Sequence, residues 1–178
     1  MSVILTDLVK IREVIMNSNA HKVEHPISGL YSYLYKLAYA AWKVFRRYCI
    51  SETHGAQVIV RKQNKVLLVR ASYRETLCFP GGYIKSNEEP IQAAKRELEE
   101  ETGLMILETQ FKFCKQISHR CDNTLCKDSL FEVVLDESLD LSPSVDGKEI
   151  ISAAFYDIDM FDNLKLDRNV SSYFKTLL

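Results

Sequence analysis

Glu97, Glu100 and Glu101 fall three and four residues apart within one acidic run, so on a helix their carboxylates converge on nearly one face. Like charges at that spacing repel. A pair 4 Å apart costs about 1 kcal/mol in water and about 4 kcal/mol at an effective dielectric of 20. A cation relieves this strain, and hard carboxylate oxygens suit Mg2+ or Mn2+, which keep several waters and take up substrate phosphates. The plainer alternative for any such run is a solvated acidic face.

The elements that must present these carboxylates are legible around them. Pro90 suits a first helical turn, where its missing N–H costs nothing, and Gly103 suits the left-handed position just past a helix end. A helix is therefore expected from about Pro90 to Glu101. Before it stands Pro80-Gly81-Gly82, where two residues without a Cβ let the backbone approach a ligand closely.

Gly82, five residues, Glu88, seven residues and then Arg96-Glu97-Leu98-Glu99-Glu100-Glu101-Thr102-Gly103-Leu104 resembles the Nudix box, Gx5Ex7REUxEExGU with U aliphatic, at all nine specified positions over 23 residues. The resemblance covers roughly Gly55 to Leu178. It implies an α/β fold, an α/β/α sandwich on a mixed β-sheet. It also implies hydrolysis of the diphosphate linkage of a nucleoside diphosphate derivative, dependent on Mg2+ or Mn2+, with water attacking phosphorus. Glu100 and Glu101 match the principal metal ligands, and Glu97 matches a residue that acts as ligand or general base. The carbonyl at the Gly81 position commonly assists the metal. Arg96 matches an arginine that orients a glutamate, with Glu88 as its expected partner. Arg96 and Glu100 also make an ordinary i, i+4 pair, worth only about 0.2–0.5 kcal/mol.

The base commonly comes from beyond the box, and the candidates here are Glu149 and then Asp146, each of which has the alternative of a solvated loop acid. Arg70, Gly82 and Lys85 are candidate substrate contacts. Bidentate recognition of a diphosphate favours Arg70, whose other use is a surface salt bridge. Every catalytic position of the box is filled, which favours an enzyme over a nucleotide-sensing module. The flanking residues match no single substrate subgroup.

Around the box, Ala56 to Val60 and Lys65 to Arg70 read as strands joined by a turn. Gln110 to Ile117 and Leu130 to Leu135 read as two more, connected by a loop over Ser118 to Asp128. A strand over Glu149 to Ile158 and a helix over Asp167 to Leu177 complete a domain of residues 51–178. Cys114, His119, Cys121 and Cys126 form Cx4HxCx4C, four residue types that fit tetrahedral zinc. The spacing matches no common zinc knuckle, and unpaired cysteines beside a loop histidine are the plainer reading.

Residues 1–50 have a different character and are expected to form an N-terminal helical extension. Val3, Ile4, Leu8, Ile11 and Ile15 recur at helical spacing, and His25-Pro26 and Gly29 mark a turn. Leu30 to Cys49 is apolar nearly all round if helical, so something must cover it. The catalytic domain or a sister subunit is the expected cover, which makes a homodimer the expected assembly. A membrane surface is the alternative, encouraged by Lys43, Arg46 and Arg47, whereas Lys36 and Lys43 interrupt any membrane span.

The chain's 178 residues suffice for one domain with a proper core, and a net charge of −1 implies no pull toward nucleic acid. Five cysteines at irregular spacing and an acidic residue early in the chain, with no basic region before an apolar run, lead us to expect a cytoplasmic protein.

Overall fold

Val58, Ile59 and Val60, then Val66 to Val69, are apolar on both faces and fully buried, the pattern of strands covered on two sides. The computed structural model describes residues 23–24, 29–121, 123–139 and 141–175, and shows these segments at the centre of a mixed sheet. Its strands are β1 (Val23–Glu24), β2 (Glu52–Lys62), β3 (Lys65–Ala71), β4 (Gly81–Tyr83), β5 (Lys112–Cys121), β6 (Thr124–Val134) and β7 (Ile150–Asp157). The order is β1-β7-β3-β2-β6-β5, with β4 paired to β2 outside that path. β2 runs parallel to β6 and antiparallel to β3 and β4.

The described residues form the helices α1 (Gly29–Cys49), α2 (Pro90–Thr102) and α3 (Arg168–Lys175), of which α2 and α3 cover the two faces of the sheet. Ala93, Ala94 and Leu98 of α2 pack on Ala56, Val58, Val60, Leu67 and Val69. On the opposite face Val170 and Tyr173 of α3 join Ile59, Val66, Leu68 and Phe79. The α/β/α sandwich expected from the box is thus present.

α2 matches its expected span and runs one residue further, because the buried Thr102 hydroxyl donates to the Leu98 carbonyl at 2.6 Å. Gly103 then ends it with φ 68°, its N–H donating to Glu99. The expected loop over Ser118 to Asp128 is instead a ladder that continues to a Cys121–Thr124 pair. Its outer edge is polar at every second residue, which on an edge strand is solvent alternation rather than loop composition. Neither β1 nor β4 was expected: two or three residues carry no period to detect. β1 pairs with Ala153 and Ser152 of β7, so the extension contributes a strand as well as helix.

α1 realises the expected long helix. Its Tyr39 ring stacks on Tyr73 at 4.6 Å between centroids, while Tyr33, Leu34, Leu37, Val44, Phe45 and Tyr48 stay exposed. Among the described residues no helix is long and apolar enough to cross a membrane. The amphipathic segment from Val3 to Ile15 and the turn at His25-Pro26 lie outside the described residues.

Candidate active site

α2 brings the glutamates to the end of β4, and two glycines make the approach possible. Gly81 has φ 153° and lies so near Ala56 and Gln57 of β2 that no Cβ fits there. A Cβ on Gly82 would come within 2.6–2.8 Å of the Glu97 carboxylate. The Gly81 N–H donates to Glu101 at 2.9 Å, which ties strand to helix at the centre of the acidic run.

Arg96 organises the other carboxylates. Its Nε and one terminal nitrogen grip Glu88 at 2.7 and 3.0 Å, a bidentate pair. The second terminal nitrogen donates to Glu97 at 2.6 Å and Glu100 at 3.2 Å. The fifth N–H reaches the Tyr83 carbonyl at 3.1 Å. Glu88 also accepts the Lys85 N–H at 2.8 Å, so the segment between β4 and α2 is closed on itself. The Arg96 hydrogen bonds, followed by the Lys85 N–H, pull the Glu88 carboxyl down to about 2.

Glu101 behaves oppositely. Burial first, and then the charges of Glu97 and Glu149, push it up to about 8, against the partial relief of the Gly81 N–H. Burial likewise raises Glu97, despite its contact with Arg96. Glu100 is the outlying member, its side chain 55% exposed against 16% for Glu97. A half-buried, mutually repelling carboxylate set of this kind has the chemistry of a hard-cation site. Glu97, Glu100, Glu101 and the Gly81 backbone are the groups that fit one.

Of the two candidate bases, the structure brings Glu149 to this set. Its charge bears on Glu97 and Glu101, and its carboxylate accepts the Tyr73 O–H at 3.3 Å. Asp146 accepts the Lys148 N–H at 2.9 Å within its own turn. Arg70 is not placed with the glutamates. Val69 and Ala71 face α2, so alternation along β3 sends Arg70 to the α3 face of the sheet. The Lys85 side chain is exposed beside the Glu88 turn.

Tyr73 is the site neighbour that sequence reasoning passed over. Burial, then the charges of Glu149 and Glu101, hold its phenol protonated, with Arg74 opposing. The Arg74 guanidinium lies 5.5 Å from the Tyr73 ring centre and 5.2 Å from that of Tyr39. The stretch Ser72-Tyr73-Arg74 carries no spacing signal; only its position after a strand and before the glycines hinted at the site.

Comparison with known proteins accords with this geometry. The family whose model matches, over residues 53–177, is that of the NUDIX domain. An 8-oxo-dGTP diphosphatase of Buchnera aphidicola subsp. Schizaphis graminum is 40% identical over 60 residues, which are 32% of this chain and 46% of that protein. The chain thus spans about half the length of that relative. The NUDIX domain of Shewanella oneidensis NrtR, solved with ADP ribose, superposes with TM-score 0.60 at 13% identity, over 72% of this chain and 90% of that one. A bifunctional NMN adenylyltransferase/ADP ribose pyrophosphatase of Francisella tularensis, solved with AMP and a manganese ion, gives TM-score 0.59 at 16% identity, over 82% and 46%.

Proposed function

The chain belongs to the NUDIX domain family, and from that premise we propose that it is a Mg2+- or Mn2+-dependent hydrolase that cleaves the diphosphate linkage of a nucleoside diphosphate derivative. The observation that carries the reading is the carboxylate set itself: Glu101 half-buried against Gly81, Glu97 held by Arg96, and Glu149 within electrostatic reach of both. The related proteins named above act on or were solved with nucleotides, which supports the substrate class.

Glu97, Glu100, Glu101 and the Gly81 carbonyl would hold the cation. When bound, it offsets the charge of the diphosphate and favours attack by water. Arg96 uses all its donors on Glu88, Glu97, Glu100 and the Tyr83 carbonyl, so its part is positioning. Glu149, oriented by Tyr73, takes the proton of the attacking water. The water oxygen bonds to one phosphorus as the bridging oxygen leaves with the other, and Gly82, having no Cβ, leaves room for the Glu97 carboxylate beside the strand. Lys85 is assigned to the outer phosphates with the support of charge alone, whereas Arg70, on the opposite face of the sheet, has no part in the cleft.

The reading extends to the rest of the chain: residues 51–178 form the hydrolase domain and residues 1–50 an extension through which two copies associate. A reducing, cytoplasmic setting is proposed from the five cysteines at irregular spacing, an odd number that fits no disulfide framework.

The test is Glu101→Gln assayed with a panel of nucleoside diphosphate derivatives. The amide keeps the shape and still accepts the Gly81 N–H but cannot hold a cation as a carboxylate does. Mg2+-dependent turnover is expected to fall at least about a thousandfold, a transition-state loss near 4 kcal/mol, with an unchanged melting transition. Wild-type turnover in this variant would refute the assignment. Binding of panel members by the unaltered protein without turnover of any would favour a nucleotide sensor.

A further inference from the structure

His119 and Cys126 stand directly opposite each other across the β5–β6 ladder. Cys121 lies two residues further along β5 and therefore on the same face. One ligand atom from each of the three lies within 4.8 Å of the others. Cys126 is only 6% exposed, and His119 Nδ1 is buried with no hydrogen-bond partner among the described residues. Nitrogen in that situation is the exception in folded proteins and calls for a partner. Cys114 does not belong to the group: it sits at the bulge in β5, with its thiol toward the Lys112 carbonyl at 3.7 Å.

The cluster is separate from the glutamates. Phe131 and Val133 of β6 face α2, whereas Leu130 faces α3, so alternation puts Cys126 on the α3 side with the sheet in between. Its ligand types differ as well. Two thiols and an imidazole reject Mg2+ and select a thiophilic cation. In a tetrahedral zinc site, bonds of about 2.3 Å to sulfur and 2.0 Å to nitrogen leave ligand atoms roughly 3.5–3.8 Å apart, within side-chain rotation of the separations here.

We infer that His119, Cys121 and Cys126 form a zinc site, completed by water, at the end of the β5–β6 hairpin. Binding displaces the thiol protons of Cys121 and Cys126 and fixes the His119 tautomer. The hairpin end also holds the junction between α1 and β2: Thr124 donates its hydroxyl proton to the Ile50 carbonyl at 2.9 Å, and the Leu125 N–H donates to Ser51 at 2.8 Å. Zinc there braces the attachment of the N-terminal segment.

The test uses the full chain, reduced, stripped with chelator and dialysed against Zn2+ in the presence of excess Mg2+ to occupy the carboxylates. One zinc per chain is expected, together with a thiolate charge-transfer band when Co2+ replaces it. His119→Ala and Cys121→Ser should each weaken zinc binding by at least the 10–100-fold that loss of an outer-shell partner costs. Cys114→Ser should leave it unchanged. Absence of zinc at micromolar concentration, zinc binding that survives both variants, or retention of Cu+ in place of Zn2+ would each overturn the assignment.

Discussion

Arg96 uses all five of its N–H groups within the protein, on Glu88, Glu97, Glu100 and the Tyr83 carbonyl. Such an arginine holds other groups in place and has no donor left for a substrate. The pairing with Glu88 makes the fold acid-sensitive in a defined window. Glu88 is held at about 2 in the folded chain against an ordinary 4.5, so the unfolded chain binds the extra proton between those values. The stabilisation is complete above about pH 4.5 and drains away as pH falls toward 2. Glu88→Gln should lower the urea midpoint at pH 7 and flatten its fall between pH 4.5 and 2; an unchanged slope would show that the pair contributes nothing. The Glu88–Arg96 partnership was legible in the sequence because both ends lie inside one spaced motif. Tyr73 was not, since its hydrogen bond to Glu149 joins residues 76 apart, a separation on which no local pattern bears. Arg70 shows the converse limit: proximity along the chain suggested a role in the cleft, and strand alternation turned it to the other face.

At the scale of elements, the site is the meeting of β4 with α2. The helix ends were readable from Pro90 and Gly103, and the central strands from their apolar runs. The glycine strand was unreadable, because Gly81 and Gly82 offer no side chains to alternate. Their reason for being glycine emerges only from the packing: a Cβ on Gly82 meets the Glu97 carboxylate at 2.6–2.8 Å. That contact is with the far end of a flexible side chain, so Gly82→Ala should fold and displace Glu97 by a fraction of an ångström to about 1 Å. Misplacement on that scale costs up to about a hundredfold in rate. The expected result is a loss of kcat of roughly that size with a melting temperature close to the wild-type value. A variant with unimpaired kcat would mean that the position of Glu97 is not critical. The mistaken loop over Ser118 to Asp128 belongs to this scale too. An edge strand alternates polar with half-buried residues, and without its neighbour's register the alternation reads as turn composition.

For the whole molecule the decisive feature is the uncovered side of α1. Tyr35 and Tyr39 turn half-buried toward the domain, and Tyr39 stacks on Tyr73. Leu34, Leu37, Ala41, Val44 and Tyr48 are exposed and recur at alternating steps of three and four, the seam spacing of paired helices. The homodimer proposed above would set a second copy of the same helix on that seam, and the net charge of −1 gives the chain no global attraction to an anionic membrane. Leu34, Leu37, Val44 and Tyr48 are 49–76% exposed, so covering them gains somewhat more than about 1 kcal/mol each, or roughly 10 kcal/mol across two copies. Subtracting an association cost of at least about 4 kcal/mol leaves an affinity no tighter than tens of micromolar. Sedimentation of the full chain across that concentration range should therefore show a monomer–dimer equilibrium. Leu37→Asp combined with Val44→Asp, both at exposed positions, should abolish it without lowering the melting temperature. An equilibrium that persists in the double variant would move the interface elsewhere, and a monomer that instead binds anionic vesicles would make the membrane the partner of α1.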